Sequence, residues 1–479
     1  MNHRIARLFA VAALVVLVSC SASSVPNAPT SPAASASAAA SAAATTGAGT
    51  GVGAGGGVAI EGIPLWLSPT VHAVLWRPTA SADRKPIALL GTHESADVTN
   101  ASWCNDLSSR GFQILCMNGR FVNAQGSVIW DDLMLDVKTG VEYLRKQSDI
   151  KTVYLLGHSG GGAIVSYYQN VAENGVKVCQ DPRRILPCSD QLANLPKADG
   201  VILVDPIPGL AYSTLTQTDA AVIKEDEFGQ ITTSMVDPSL DMFATANGYD
   251  AKKPTFSADF VKRFFTAEGA RYNRLIALAQ SRMDAIKAGK GWFPDDEPFI
   301  ISRSNARLWV PDIDLVARTQ QPHTIVGPNG ERQEIAKSVR PVGTSARGPA
   351  SNLFYSSTRT GMTVRSFLST YAIRTTPDYQ ITADNVVGVD WQSTNTSLVA
   401  NVGGFKSPLL ALSMTGHYWL VTTEIAYNAS PSADKTLSYI EGASHGLSTC
   451  KECETTPGQF GDTNKTAMDY IAKWLNSHR

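Results

Sequence analysis

The stretch Thr152-Val153-Tyr154-Leu155-Leu156-Gly157-His158-Ser159-Gly160-Gly161-Gly162-Ala163-Ile164-Val165 holds a strand, a turn and the opening of a helix. Thr152 to Leu156 is a short, β-branched and aromatic apolar run, which reads as a buried strand. Ala163 to Glu173 has the composition of a helix. Between them Ser159 stands in a complete G-x-S-x-G, and this strand–turn–helix setting is the one in which that pattern carries chemistry. The turn is tight and strained, so residues without a Cβ are needed where helix and strand approach. The helix N-terminus brings free N–H groups and a positive dipole end to the serine. Gly-rich turns with a serine are common; it is the position of this one that makes Ser159 a candidate nucleophile.

Working outward, strands are expected at Thr70 to Arg77, Pro86 to Leu90 (stopped by Gly91), Phe112 to Cys116 and Gly200 to Val204. Helices are expected at Ala101 to Arg110 and Trp130 to Lys146. In the latter, Leu133, Val137, Val141 and Leu144 keep helical spacing and Asp131 and Asp132 occupy the first turn. Strands alternating with helices, several of them continuous apolar runs, predict an α/β fold with a mostly parallel central sheet covered by helices on both faces. The alternation lapses from about residue 210 to 405, apart from a helix at Ser257 to Lys287. It resumes with Pro408 to Leu412, Thr436 to Ile440 and a last helix near Asn464 to Leu475. The expected organisation is a core in two parts, 58–209 and 406–479, split by a large cap or lid insertion at 210–405.

Here the chain resembles the α/β-hydrolase superfamily of serine esterases and lipases, over about Thr70 to Pro208 and Ser407 to Arg479. The resemblance implies a nucleophile, an acid and a histidine in that order along the chain. Of eight histidines, His445 lies in Glu441-Gly442-Ala443-Ser444-His445-Gly446, after the last expected strand, where the superfamily carries its base. An imidazole titrates near neutrality and can take and return the serine proton. His417 is the rival, and His158 reads as support for the turn. The acid departs from the commonest pattern: Met414-Thr415-Gly416-His417-Tyr418-Trp419 has no carboxylate. Asp205, in Leu203-Val204-Asp205-Pro206, resembles members whose acid follows that earlier strand. Glu424, in Val421-Thr422-Thr423-Glu424-Ile425, is the alternative. Asp434 reads as a turn residue. An oxyanion hole would use the N–H of Gly160 and one from Gly91-Thr92-His93-Glu94-Ser95, with His93 first and Glu94 next.

These residues imply a serine hydrolase acting on a small-molecule or lipid-like ester through an acyl-enzyme on Ser159. The alternative is a hydrolase-fold binding or scaffold protein without catalysis, for which the missing Asp is the support. Trp292, Phe293, Trp309, Phe354, Tyr355, Tyr371 and Trp391 either line an acyl site or form the insertion's own core. No cofactor is expected, since nothing resembles a P-loop or dinucleotide fingerprint, and the hydrolase mechanism needs no metal. With 41 basic and 42 acidic residues, no charge excess points to nucleic acid.

The N-terminus reads as an address. Arg4 and Arg7 precede an apolar run from Leu8 to Val18, too short for a membrane span of about 20 residues. Leu17-Val18-Ser19-Cys20 resembles a bacterial lipobox, which implies cleavage after residue 19 and lipidation of Cys20, with Ser21 leaning the address toward an outer membrane. Residues Ser21 to Gly57 hold only Val25, Val52 and Asn27 beyond Ala, Ser, Thr, Gly and Pro, so 20–57 is expected to be a disordered tether. Six further cysteines suit an oxidising compartment. Proximity favours Cys104–Cys116, Cys179–Cys188 and Cys450–Cys453, although the sequence does not choose among the pairings, and the last is also a C-x-x-C with rival redox or zinc readings.

Overall fold

The computed structural model describes residues 57–226, 233–250, 252–304, 306–343 and 362–478. The signal segment, Cys20, nearly all of the tether, Phe354 and Tyr355 lie outside them. Ten strands form one sheet: β1 Ile60–Ser68, β2 Val71–Pro78, β3 Ile87–His93, β4 Gln113–Asn118, β5 Thr152–His158, β6 Gly200–Val204, β7 Arg318–Gly327, β8 Gly330–Lys337, β9 Leu409–Met414 and β10 Lys435–Ile440. Their spatial order is β1-β2-β4-β3-β5-β6-β9-β10-β7-β8. From β4 across to β7 all neighbours run parallel, and an antiparallel hairpin closes each edge.

The principal helices are α1 Ser102–Ser108, α2 Trp130–Arg145, α3 Gly160–Asn174, α4 Ala258–Lys287, α5 Leu420–Ala429 and α6 Thr463–Ser477. Successive residues of a strand point to opposite faces, so the central strands feed two cores at once. Ala88, Leu90, Val153 and Leu155 pack with Leu133, Val137 and Ile164 of α2 and α3. Ile87, Leu89, Tyr154 and Leu156 pack with Trp103 and Leu107 of α1 and Met468 and Ile471 of α6. This two-faced burial is why these strands read as unbroken apolar runs. Ser257 caps α4 by accepting from the Phe260 N–H at 3.1 Å, and Asp462 caps α6 by accepting from the Lys465 N–H at 2.9 Å. The architecture fits the expected α/β-hydrolase fold.

The hairpin β7–β8 requires a correction. It falls within 210–405, yet β7 pairs in parallel with β10 and extends the core sheet. Its residues are largely exposed, as an edge hairpin's are, and Arg318-Thr-Gln-Gln-Pro322 carries no apolar run to announce a strand. At the opposite edge, β1 is mostly half-buried, and Gly62 and Pro64 interrupt its apolar pattern. The strand expected to stop at Gly91 instead runs to His93, where Gly91 leaves room for Trp103: a Cβ there would lie 2.3 Å from the indole. The other described residues of the insertion pack around α4, whose Phe264, Phe265, Tyr272 and Leu275 are buried, and belong to the same compact unit as the sheet. The cysteines pair as Cys104–Cys116, Cys179–Cys188 and Cys450–Cys453. Among the described residues no helix is long and apolar enough to cross a membrane.

Candidate active site

Ser159 sits between β5 and α3 with φ 56° and ψ −125°, a conformation that costs on the order of 1–3 kcal/mol and persists only where the surroundings impose it. They do so from both sides. The Ser159 N–H donates to the Val204 carbonyl at 3.2 Å, and the Ser159 carbonyl accepts from the Ile207 N–H at 3.1 Å. The glycines are required by proximity. A Cβ on Gly157 would lie 2.5 Å from the Gly161 carbonyl oxygen, and one on Gly161 would lie 2.2 Å from that of Thr92.

Asp205 follows β6 directly. Its φ is 41°, a left-handed conformation that Asp tolerates better than most residues, and its N–H donates to the Leu412 carbonyl of β9 at 2.7 Å. This bend turns the carboxylate to the carboxyl edge of the sheet. There Oδ1 accepts from the Ser413 hydroxyl at 2.9 Å, and Oδ2 lies 2.7 Å from His445 Nδ1. On the other side of that ring, His445 Nε2 lies 2.8 Å from Ser159 Oγ. Burial alone would raise the pKa of Asp205, but the imidazoles of His417 and His445 outweigh it and hold the carboxyl well below the usual range. An ionised carboxylate can only accept, so His445 Nδ1 donates to it and Nε2 is left to accept from Ser159. The arrangement can draw the proton from Oγ as that atom attacks.

His445 is held between two further imidazoles. The His158 ring lies 4.9 Å away at 31°, and the His417 ring 4.4 Å away at 27°. Burial, aided by the nearby His445 and opposed by Asp205, brings both flanking groups down to about 4, so both are neutral near pH 7. A carbonyl only accepts, so His158 Nε2 carries its proton and donates to the His445 carbonyl at 2.7 Å. This fixes the loop that presents the base. The His445 side chain remains 33% exposed, which leaves its working edge open to substrate and water.

Of the two carboxylates weighed for the acid, only Asp205 reaches His445. Glu424 lies in α5 and points the other way. Its carboxylate accepts from the N–H groups of Gln320 and Gln321 at 2.8 and 3.0 Å and meets His323 Nε2 at 2.7 Å. It pins the start of β7 to the helix, a partner that could not be foreseen while that strand was unrecognised. Burial alone would raise its pKa, but these hydrogen bonds outweigh it and hold the carboxyl below its ordinary value. Stability from a depressed carboxyl is present at neutral pH and lost as pH falls through the folded-state value. Glu424→Gln is therefore expected to reduce the unfolding free energy in urea by about 1.5–3 kcal/mol, the worth of hydrogen bonds to a charged group, while leaving ester turnover near wild type. Asp434 receives His478 Nε2 at 3.0 Å, away from the site.

The loop expected to supply an oxyanion donor follows directly on β3. Because β3 runs on to His93, the loop facing α3 begins at Glu94. The Glu94 side chain is buried against Gly160, where a Cβ would lie 1.9 Å from Oε2. His93 stops short of that contact, and its Nδ1 faces the N–H groups of Ser95 and Ala96 at 3.3 and 3.0 Å. Nδ1 also comes within 3.0 Å of Glu94 Oε2, but off the line of a hydrogen bond, and Oε2 has no such partner among the described residues. The loop thus brings the Glu94 side chain beside Gly160, with His93 at the strand end before it.

The insertion's aromatics divide. Trp309 and Tyr371 are buried, and Trp309 packs 4.4 Å from Tyr418, whose ring lies 3.8 Å from that of His417. Trp391 packs 5.2 Å from Tyr212. Trp292 and Phe293 are 49% and 55% exposed. Cavities of about 430 Å³ at the β7–β8 hairpin and about 680 Å³ between Gly57 and α6 touch none of Ser159, Asp205 and His445.

No family model matches the sequence, and no curated protein matches it. Among solved structures, the chain is similar to the siderophore hydrolase EstB from Aspergillus fumigatus, with 14% identity over 88% of this chain and 98% of that one and a TM-score of 0.43. It is also similar to Est1E from Butyrivibrio proteoclasticus, at 9% identity, 87% and 98% coverage and a TM-score of 0.35. A Paleococcus ferrophilus monoacylglycerol lipase gives 13%, 82% and 94%, and 0.31. Likenesses at this level add nothing to the chemistry, which rests on the side chains themselves.

Proposed function

We propose that the protein is a serine hydrolase that cleaves carboxylic esters. The observation that carries this reading is the unbroken line from Asp205 Oδ2 through His445 to Ser159 Oγ, at 2.7 and 2.8 Å. Ser159 Oγ attacks the ester carbonyl while His445 Nε2 takes its proton. The oxyanion is met by the Gly160 N–H and by an N–H of the loop at Glu94, beside the dipole of α3. The imidazolium, offset by Asp205, returns the proton to the leaving alcohol. Water then attacks the acyl-enzyme with His445 again as base, releasing the acid. The binding-protein reading leaned on the absence of a carboxylate after β9; Asp205, from β6, answers that absence. An active-site fluorophosphonate tests the reading: covalent labelling at Ser159 supports it, and a folded protein that resists labelling and cleaves no ester overturns it.

We further propose that this hydrolase works outside the cytoplasm on a lipid anchor. The Leu17-Val18-Ser19-Cys20 box, the tether and three disulfides support this. Cys20→Ala is expected to abolish lipid attachment and leave the precursor unprocessed by the lipoprotein route. Fractionation and mass measurement of the mature N-terminus check it; a lipidated mutant would refute the assignment.

A further inference from the structure

His417 has no part in the relay as described, yet it meets the same oxygen. Its Nδ1 approaches Asp205 Oδ2 to 2.6 Å, while His445 Nδ1 approaches at 2.7 Å. The two approaches differ in kind. That of His445 is a hydrogen bond; that of His417 lies off the line of one, and its buried Nδ1 has no hydrogen-bond partner among the described residues. A buried nitrogen and a buried carboxylate oxygen therefore abut at 2.6 Å in poor alignment for a hydrogen bond. Such contacts are costly unless something satisfies them. The ligating atoms of Asp205, His417 and His445 all lie within 4.8 Å of one another.

We infer that Asp205, His417 and His445 form a site for a transition-metal dication of the Zn²⁺ class, and that its occupancy switches Ser159 off. Two imidazole nitrogens and one carboxylate oxygen are the donor set of borderline metals rather than of Ca²⁺ or Mg²⁺, and three protein ligands with a fourth position open are a stable arrangement for zinc. Metal–ligand bonds of about 2.0–2.1 Å place neighbouring tetrahedral ligands about 3.3 Å apart. The present approaches of 2.6 and 2.7 Å must therefore widen by about 0.6 Å, a small displacement for His445 on its partly exposed loop. The consequence for Ser159 rests on the serine-hydrolase reading; the binding does not. A neutral imidazole has one N–H. In the relay His445 carries it on Nδ1. Metal on Nδ1 leaves the proton on Nε2, facing Ser159 Oγ, so the nitrogen that must accept becomes a donor. The Nδ1–H bond breaks and an Nε2–H bond forms, the proton passing through water with no net release, and removal of the metal restores the base.

The test uses the purified protein with Co²⁺ as a visible probe and Zn²⁺ as competitor. The expected result is the intense visible absorption of low-coordinate Co²⁺ at one equivalent, bleached by Zn²⁺. It should be retained in Ser159→Ala and lost in His445→Ala and His417→Phe. In parallel, Zn²⁺ should slow fluorophosphonate labelling by about tenfold or more, and His417→Phe should need about 10–100-fold more Zn²⁺ for the same effect, at least the cost of losing a supporting partner at a metal site. If His417→Phe does not fold, judged by circular dichroism, His445→Ala carries the spectral test alone. Co²⁺ that keeps its six-coordinate spectrum overturns the inference, as does a band indifferent to the variants made. A His-dependent band in a protein that never labels, even without metal, leaves the metal site standing and removes the hydrolase reading instead.

Discussion

Ser159→Ala and His445→Ala each remove nearly all turnover of a short-chain aryl ester, by about 10⁴-fold or more, and the double variant loses no more than either alone. The non-additivity follows from the geometry. Ser159 Oγ is a weak nucleophile unless its proton has somewhere to go, and His445 Nε2, 2.8 Å away, is that place. Without either atom the other does nothing, and what remains is the oxyanion hole and substrate binding. Both changes are expected to leave the fold intact. Alanine meets no more strain than serine at φ 56°, and truncating the partly exposed His445 ring opens a gap at the surface rather than in a core. Steady-state kinetics with a melting curve for each variant check this. Full activity in Ser159→Ala would end the serine-hydrolase proposal.

What could be read in advance follows the physics of each element. β3 to β6 and β9 are buried on both faces, so their runs of Leu, Ile and Val announced a parallel sheet without help from context. The turn at Ser159 was legible because its glycines answer a local clash, between Gly157 and Gly161, and local constraints are written in adjacent residues. The edge hairpin β7–β8 was not legible, since an exposed strand needs no apolar run and Pro322 argued against one. That omission propagated. Without β7, Glu424 had no visible partner and stood as a second candidate acid. The role of His417 beside Asp205 had no local signal at all. Residues 205, 417 and 445 are brought together by three different strand ends, and only the order β6-β9-β10 places them side by side.

Asp205→Asn is the second change of large expected effect, a loss of about 10³–10⁴-fold in kcat with substrate binding little changed. The surroundings of the carboxylate dictate the sign. Oδ1 accepts from the Ser413 hydroxyl at 2.9 Å, while Oδ2 takes the Nδ1–H of His445. An amide in the same place keeps its oxygen toward the Ser413 hydroxyl and turns its NH₂ toward the imidazoles. That NH₂ donates to His445 Nδ1, which drives the ring proton onto Nε2, opposite Ser159, where it can no longer accept. Asn tolerates the left-handed backbone that Asp adopts there at φ 41°, so the loss is one of chemistry and not of folding. The mechanism has its own check. Adding Ser413→Ala to Asp205→Asn removes the donor that orients the amide, lets its oxygen face His445, and should restore part of the lost rate, whereas Ser413→Ala alone should cost little. An Asp205→Asn variant with wild-type turnover would mean that His445 needs no carboxylate, and the relay as drawn would fail at its first link.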